Sequence, residues 1–215
     1  MSFDGIPIAA RDLVFLDTET TSLDDDPTTG GEIIDFAAMK LSPDLQTVRG
    51  AVERKCTLRY PERAQAKALE VNRYSPAEWA RATPIRLALV EFSSLLEGAS
   101  PSIVVGHNVR FDIGFIGSAY RRESLALPTW KYSIDTVSIA WPLIVAGHIP
   151  DPSLRSLCAR YGVANDGAHR AMADVRRTIL VYAKMLGMKE PRLSSSTEIS
   201  SPTTTADPFE PEWAR

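Results

Sequence analysis

Cysteine is nearly absent: the 215 residues hold two, Cys56 and Cys158. Two are too few for a disulfide framework, and neither stands at a metal-ligand spacing from another Cys or His. They read as small buried apolar residues. Histidine is scarce as well, at three, so each can be weighed singly. An excess of positive charge is missing, with 24 Lys and Arg against 27 Asp and Glu and a formal net charge of -3. That balance argues against sequence-independent coating of duplex DNA, which relies on many cationic phosphate contacts. It still allows a grip on a few terminal nucleotides, where bound divalent cations are the largest positive charges. Long apolar runs are missing too. None approaches the ~20 residues that span a bilayer, and the N-terminus lacks a basic-then-apolar leader. A cytoplasmic protein without membrane contact is expected.

What is present is an ordinary globular composition, 44% hydrophobic and 24% charged. Asp12 to Asp17 reads as a buried strand, Glu32 to Leu41 as a second and Thr47 to Leu58 as a third, an antiparallel opening meander. The pattern then turns helical. Arg63 to Glu70 and Pro76 to Ala80 suggest short helices, the latter with Ser75 as N-cap. Pro84 to Glu97 carries an apolar stripe and stops at Gly98. Ser102 to Val105 is a short strand, and Asn108 is a suitable N-cap for a helix to about Ser124. Trp130 to Ile134 is the last strand, followed by helices over Asp135 to Ala146, Ser153 to Tyr161 and Ala168 to Leu186. This order predicts an α/β domain around a mixed sheet. From about residue 189 to 215 the Ser, Thr and Pro content cannot build a core, and a disordered tail is expected. Phe209 and Trp213 among its acids leave two readings open, a docking motif for a protein partner and a frayed terminus.

The chemistry sits in five residues. Strand periodicity puts Asp17 and Glu19 on one face; Asp112 and Asp174 fall on helices, and His169 lies five residues before Asp174. Hydrolysis of a phosphodiester is served by two divalent ions ~4 Å apart, at the attacking water and the leaving oxygen. Mg²⁺ or Mn²⁺ takes carboxylate oxygens, so the protein must gather three or four carboxylates. Histidine near its neutral pKa accepts a proton from the attacking water. Each residue alone has a plain alternative. Asp17 and Glu19 could be a solvated strand end, Asp112 a surface acid paired with Arg110 or Arg121, and His169 a satisfied histidine. His107 reads as structural or supporting, and His148 as a loop residue.

Taken together, three segments resemble the DEDDh family of 3′–5′ exonucleases, the DnaQ-like group of the RNase H-like superfamily. They are FLDTETTSL (Phe15 to Leu23), GHNVRFDIGF (Gly106 to Phe115) and AHRAMADVRRT (Ala168 to Thr178). The likeness spans Leu13 to Leu186, with LRSLCARYGV (Leu154 to Val163) also similar. It implies an RNase H-like fold, a five-stranded mixed sheet with one antiparallel strand flanked by helices, over residues 1–188. It implies two Mg²⁺ or Mn²⁺ ions on Asp17, Glu19, Asp112 and Asp174, with Asp17 bridging and His169 as general base. The spacing of five before Asp174 distinguishes this subgroup from the one with Tyr four residues before the final Asp.

The resemblance further implies substrate contacts from Thr18, Thr20, Thr21, Leu23, His107, Asn108 and Phe111. Asp135 resembles a recurring acid behind the ligands, and Ser22 stands where many relatives carry Gly. The expected substrate is the 3′ end of single-stranded or frayed DNA, released as nucleoside 5′-monophosphates. The likeness to the DNA-proofreading branch favours DNA over RNA and raises a polymerase partner for the tail. The alternatives are a 3′ exoribonuclease like RNase T or oligoribonuclease, and a non-catalytic nucleic-acid-binding module. Oligomeric state is open.

Overall fold

The computed structural model describes residues 6–98 and 100–193. Strand β1 (Leu13–Thr20) is the centre of the molecule, because both of its faces are covered. It pairs antiparallel with β2 (Ile33–Leu41), which pairs antiparallel with β3 (Val48–Lys55). On its other side β1 pairs parallel with β4 (Ile103–Gly106), and β4 with β5 (Ser133–Asp135). The sheet order is β3-β2-β1-β4-β5, so β2 alone among these strands runs against the rest. This is the expected five-stranded mixed α/β sheet.

Among the described residues six helices clothe it: α1 (Ala66–Val71), α2 (Ile85–Leu96), α3 (Val109–Arg122), α4 (Thr136–Val145), α5 (Leu154–Tyr161) and α6 (Ala171–Met185). Alternation along β1 divides the core. Val14 and Leu16 pack with Leu89 and Phe92 of α2 and Phe115 and Ile116 of α3. Leu13 and Phe15 face the other way, onto Val175, Ile179 and Tyr182 of α6. Phe15 meets the Tyr182 ring edge-on at 5.4 Å. Burying each such side chain contributes about 1.5–3 kcal/mol. All nine residues of β2 are buried for the same reason, including Asp35 and Lys40. A third cluster joins α4, α5 and α6 through Ala140, Leu157, Cys158 and Val181. Both cysteines are buried and unbridged.

The departures from expectation have local causes. β1 continues past Asp17 to Thr20, because β2 offers ladder partners as far as Ile33, opposite Thr20 across a bulge. β3 ends at Lys55; the chain beyond it keeps one bridge, between Cys56 and Thr83. The predicted helix from Arg63 starts only at Ala66, after a 3-10 turn over Pro61–Arg63. Pro76 to Ala80 forms turns, although Ser75 Oγ does accept the Glu78 N–H. β5 starts at Ser133, because Trp130 is drawn onto Phe92 in the core. Helix α6 starts at Ala171 instead of Ala168, since His169 adopts φ +64°, outside the helical region.

No helix among the described residues is long and apolar enough to cross a membrane. Residues 189–193 still touch the domain: Pro191 is buried, Leu193 packs on the α6 side of the core, and Glu190 pairs with Lys184. The rest of the expected tail, with Phe209 and Trp213, lies outside the described residues.

Candidate active site

The site forms where β1 ends, between α3 on one face of the sheet and α6 on the other. Asp17 and Glu19 continue the face of Leu13 and Phe15, so they look toward α6, which carries Asp174 in its first turn. Ligand atoms of Glu19, His169 and Asp174 lie within 4.8 Å of one another. Thr18 points the other way and meets α3. Its N–H and its hydroxyl both donate to Asp112 Oδ1, each at 2.8 Å. Asp112 is 3% exposed. The alternative pairing with Arg121 does not form; that guanidinium donates to Ser118 Oγ.

Crowding acids out of water raises their proton affinity. Burial pushes Asp17 well above the usual carboxylate range, helped by the charges of Asp112 and Glu19. Glu19 is pushed up to about 7, by burial first and then by Asp35 and Asp112. Asp112 reaches about 7 through burial, against the opposing pull of the Thr18 hydrogen bonds. His169 moves below the ordinary histidine value, through burial and then the cations Arg177 and Arg73. The imidazole is therefore neutral at pH 7 and able to accept a proton.

An open cleft of about 260 Å³ lies against these residues. Its walls include Thr18, Glu19, Thr20, Leu23, Phe111 and His169. Leu23 is 82% exposed at its rim. Three expected contact residues are not on the wall. Thr21 is fully buried, its hydroxyl accepting the Glu32 N–H. The His107 ring bonds Thr136 Oγ1 at 2.9 Å, which ties the β4–α3 turn to α4. Asn108 does not cap α3 with its side chain; it sits at φ +62°, and its N–H donates to Asp135 Oδ1. Asp135 also accepts from Val137 and so caps α4, a supporting position as expected. The Ser22 hydroxyl is engaged in holding the loop 24–31, accepting from Asp24 and Gly31 N–H. That loop closes against α3 because position 114 is Gly: a Cβ there would lie 2.0 Å from Asp25 Oδ2.

Sequence reasoning missed several residues. Asn72, after α1, lines the cleft and donates to the Thr20 carbonyl at 2.8 Å, with Gln65 and Lys67 alongside. Asp35 stands opposite Glu19, accepts the Ala171 N–H at the start of α6, and is pushed up to about 6 by burial. Lys55 links Asp35 to Glu78, which pairs with Arg170 beside His169. This chain of charges clasps the His169 turn. Arg177 is buried and ion-paired with Asp174. The signals were an acid inside the apolar run of β2 and a cation three residues after Asp174, a spacing that places both on one helix face.

Two carboxylates from a strand, two from flanking helices and a histidine at the mouth, on a sheet with this strand order, define a DEDDh-type nuclease of the RNase H-like superfamily. Comparison with known proteins agrees. The exonuclease family RNase_T matches residues 14–182, and the chain belongs to that family. It is 28% identical over 216 residues to a DNA polymerase III PolC-type of Staphylococcus epidermidis, covering 96% of this chain and 14% of that one. The corresponding Staphylococcus aureus protein is 28% identical over 214 residues with the same coverage. The chain thus spans about a seventh of the length of these curated relatives.

Among solved structures, E. coli Exonuclease I in complex with a dT13 oligonucleotide superposes with a TM-score of 0.69. The identity is 20%, over 84% of this chain and 41% of that one. Cell-death related nuclease 4 gives a TM-score of 0.66 at 16% identity, over 82% and 64%. These likenesses are of fold.

Proposed function

We propose that residues 1–188 form an active 3′–5′ exonuclease domain that uses two Mg²⁺ or Mn²⁺ ions and removes nucleotides from single-stranded or frayed DNA. The observation that carries this reading is the convergence of Glu19, His169 and Asp174 within 4.8 Å, two of them, Glu19 and His169, on the wall of an open cleft. The donor set fits hard divalent cations: it is oxygen-rich, with carboxylates of Glu19 and Asp174 within reach of one ion beside His169. Asp17, Glu19 and Asp174 would hold one ion, and Asp17 with Asp112 the other. When bound, two such ions stabilise charge on the attacking and leaving oxygens.

The chain's own residues do the rest. Asn72 fixes the Thr20 carbonyl beside the cleft, where Thr20, Leu23 and Phe111 would receive the terminal sugar and base. The neutral His169 ring takes a proton from water as its oxygen bonds to phosphorus. The P–O3′ bond breaks, the departing 3′ oxygen is protonated from solvent, and a nucleoside 5′-monophosphate leaves. Kinship with PolC-type polymerases and the oligonucleotide complex of the Exonuclease I fold neighbour support DNA. The first of these also supports a proofreading setting beside a polymerase.

The test is nucleotide release from matched 5′-labelled single-stranded DNA, mismatched duplex DNA and RNA, with Mg²⁺ or Mn²⁺ and with chelator. Release of 5′-monophosphates from DNA that chelator abolishes is expected. Equal or faster digestion of RNA would replace the DNA reading with the exoribonuclease one. No release from any substrate would leave a binding module.

A further inference from the structure

Arg177 is a buried cation paired with one of the cluster's carboxylates, and its surroundings are built. It lies one turn after Asp174 on α6 and is 6% exposed. One terminal nitrogen pairs with Asp174 Oδ1, and the other donates to Asn165 Oδ1 in the loop that leads to His169. Its Nε is buried without a hydrogen bond. Asp174 Oδ2 is engaged as well, accepting the His169 N–H at 3.2 Å. Both oxygens of this carboxylate therefore have partners within the chain. The guanidinium charge also acts on Asp17 and Glu19, in the direction that keeps them ionised.

A guanidinium stays charged at any working pH, and a buried charge needs a partner. Here the partner is a carboxylate that the proposed function assigns to a divalent ion. Two cations cannot share one buried oxygen without mutual repulsion, so the ion must work against the arginine. We infer that Arg177 is an internal counter-cation that holds Asp174 and the His169 loop in place without metal and competes with the divalent ion for Asp174. It is a positioning residue, and it sets the metal affinity weaker than the carboxylates alone would give. The site is thereby ordered before metal arrives and releases metal readily. This inference rests on the metal-binding reading above.

Calorimetric titration of the full chain with Mn²⁺ tests it, using Arg177→Met, which keeps length and apolar stem but removes charge. About tenfold tighter Mn²⁺ binding is expected, with a lower melting temperature without metal and a larger rise on adding it. Asn165→Ala gives the opposite sign. Asn165 is exposed, and its loss leaves the guanidinium committed to Asp174, so Mn²⁺ should bind several-fold more weakly. That arm decides the matter if Arg177→Met does not melt cooperatively. Mn²⁺ binding unchanged or weaker in Arg177→Met, or unchanged in Asn165→Ala, overturns the inference. Wild-type protein that binds no Mn²⁺ would instead sink the metal-dependent reading itself.

Discussion

The two walls of the site, α3 and α6, hold their carboxylates by different physics. On the α3 wall, Asp112 is gripped by neutral donors, the Thr18 N–H and hydroxyl, which are short and geometrically fixed. On the α6 wall, Asp174 is held by a buried guanidinium and by the N–H of His169, a residue in the left-handed region. Neutral donors can stay in place when a cation arrives, since they point their dipoles at the carboxylate without repelling the ion strongly. A guanidinium cannot do so without cost. The α3 wall is therefore ready for metal, while the α6 wall is ready without it. A left-handed residue precedes each helix, Asn108 before α3 and His169 before α6, and the histidine is held by the Asp35, Lys55, Glu78 and Arg170 clasp.

Four substitutions or conditions would break or sharpen this contrast. The largest effect is expected at the floor that both walls share. Asp17→Ala should reduce Mn²⁺-dependent nucleotide release to background, and a rate near wild type would remove the two-metal reading. Next comes the α6 wall: His169→Ala should lower kcat by roughly 10²–10⁴-fold while Mn²⁺ affinity by calorimetry stays near wild type. Loss of affinity in step with activity would make His169 a ligand instead of the base. On the α3 wall, Thr18→Val removes the hydroxyl but keeps the N–H, so Mn²⁺ affinity should fall only about tenfold. A loss as deep as that of Asp17→Ala would mean the neutral grip is not partly redundant.

The smallest effect is on stability. Glu19 and Asp112 each titrate at about 7 in the folded state, above their ordinary values of 4.5 and 3.8. The folded state therefore binds these protons more tightly than the unfolded chain does. Metal-free stability should be greatest below the lower ordinary value, 3.8, as far as these two groups decide it, and decline as pH rises to about 7. Thermal melts at pH 5.5 and pH 8 should differ by several degrees, and saturating Mn²⁺ at pH 8 should reverse the loss. A metal-free melting temperature that rises across this range would contradict the raised values.

How much was legible in the sequence differs between the walls too. Asp17, Glu19, His169 and Asp174 were singled out by the family resemblance of three short segments, which is a local property, since each residue alone had a plain alternative. Asp112 was found, but its partner was not: the reading offered Arg110 or Arg121, whereas Thr18 lies 94 residues away in sequence. Asn108 looked like a cap because its side chain suits one. The β4–α3 turn instead turned its backbone N–H toward Asp135 and left the side chain exposed. The strand ends were misjudged wherever a partner strand, not the residue's own preference, decided where pairing stops, as at Thr20.

By itself the sequence determined the central strand and its flanking helices and, through three segments that resemble a family, singled out the acids and the histidine, since residue type, short-range period and motif are all local. Only the tertiary structure decided how those acids are held. Asp35 opposite Glu19, Thr18 against Asp112 and the Asn165 tether of Arg177 join residues from separate elements. Such contacts exist because packing both faces of β1 sets α3 and α6 on its opposite sides, with its acidic end between them.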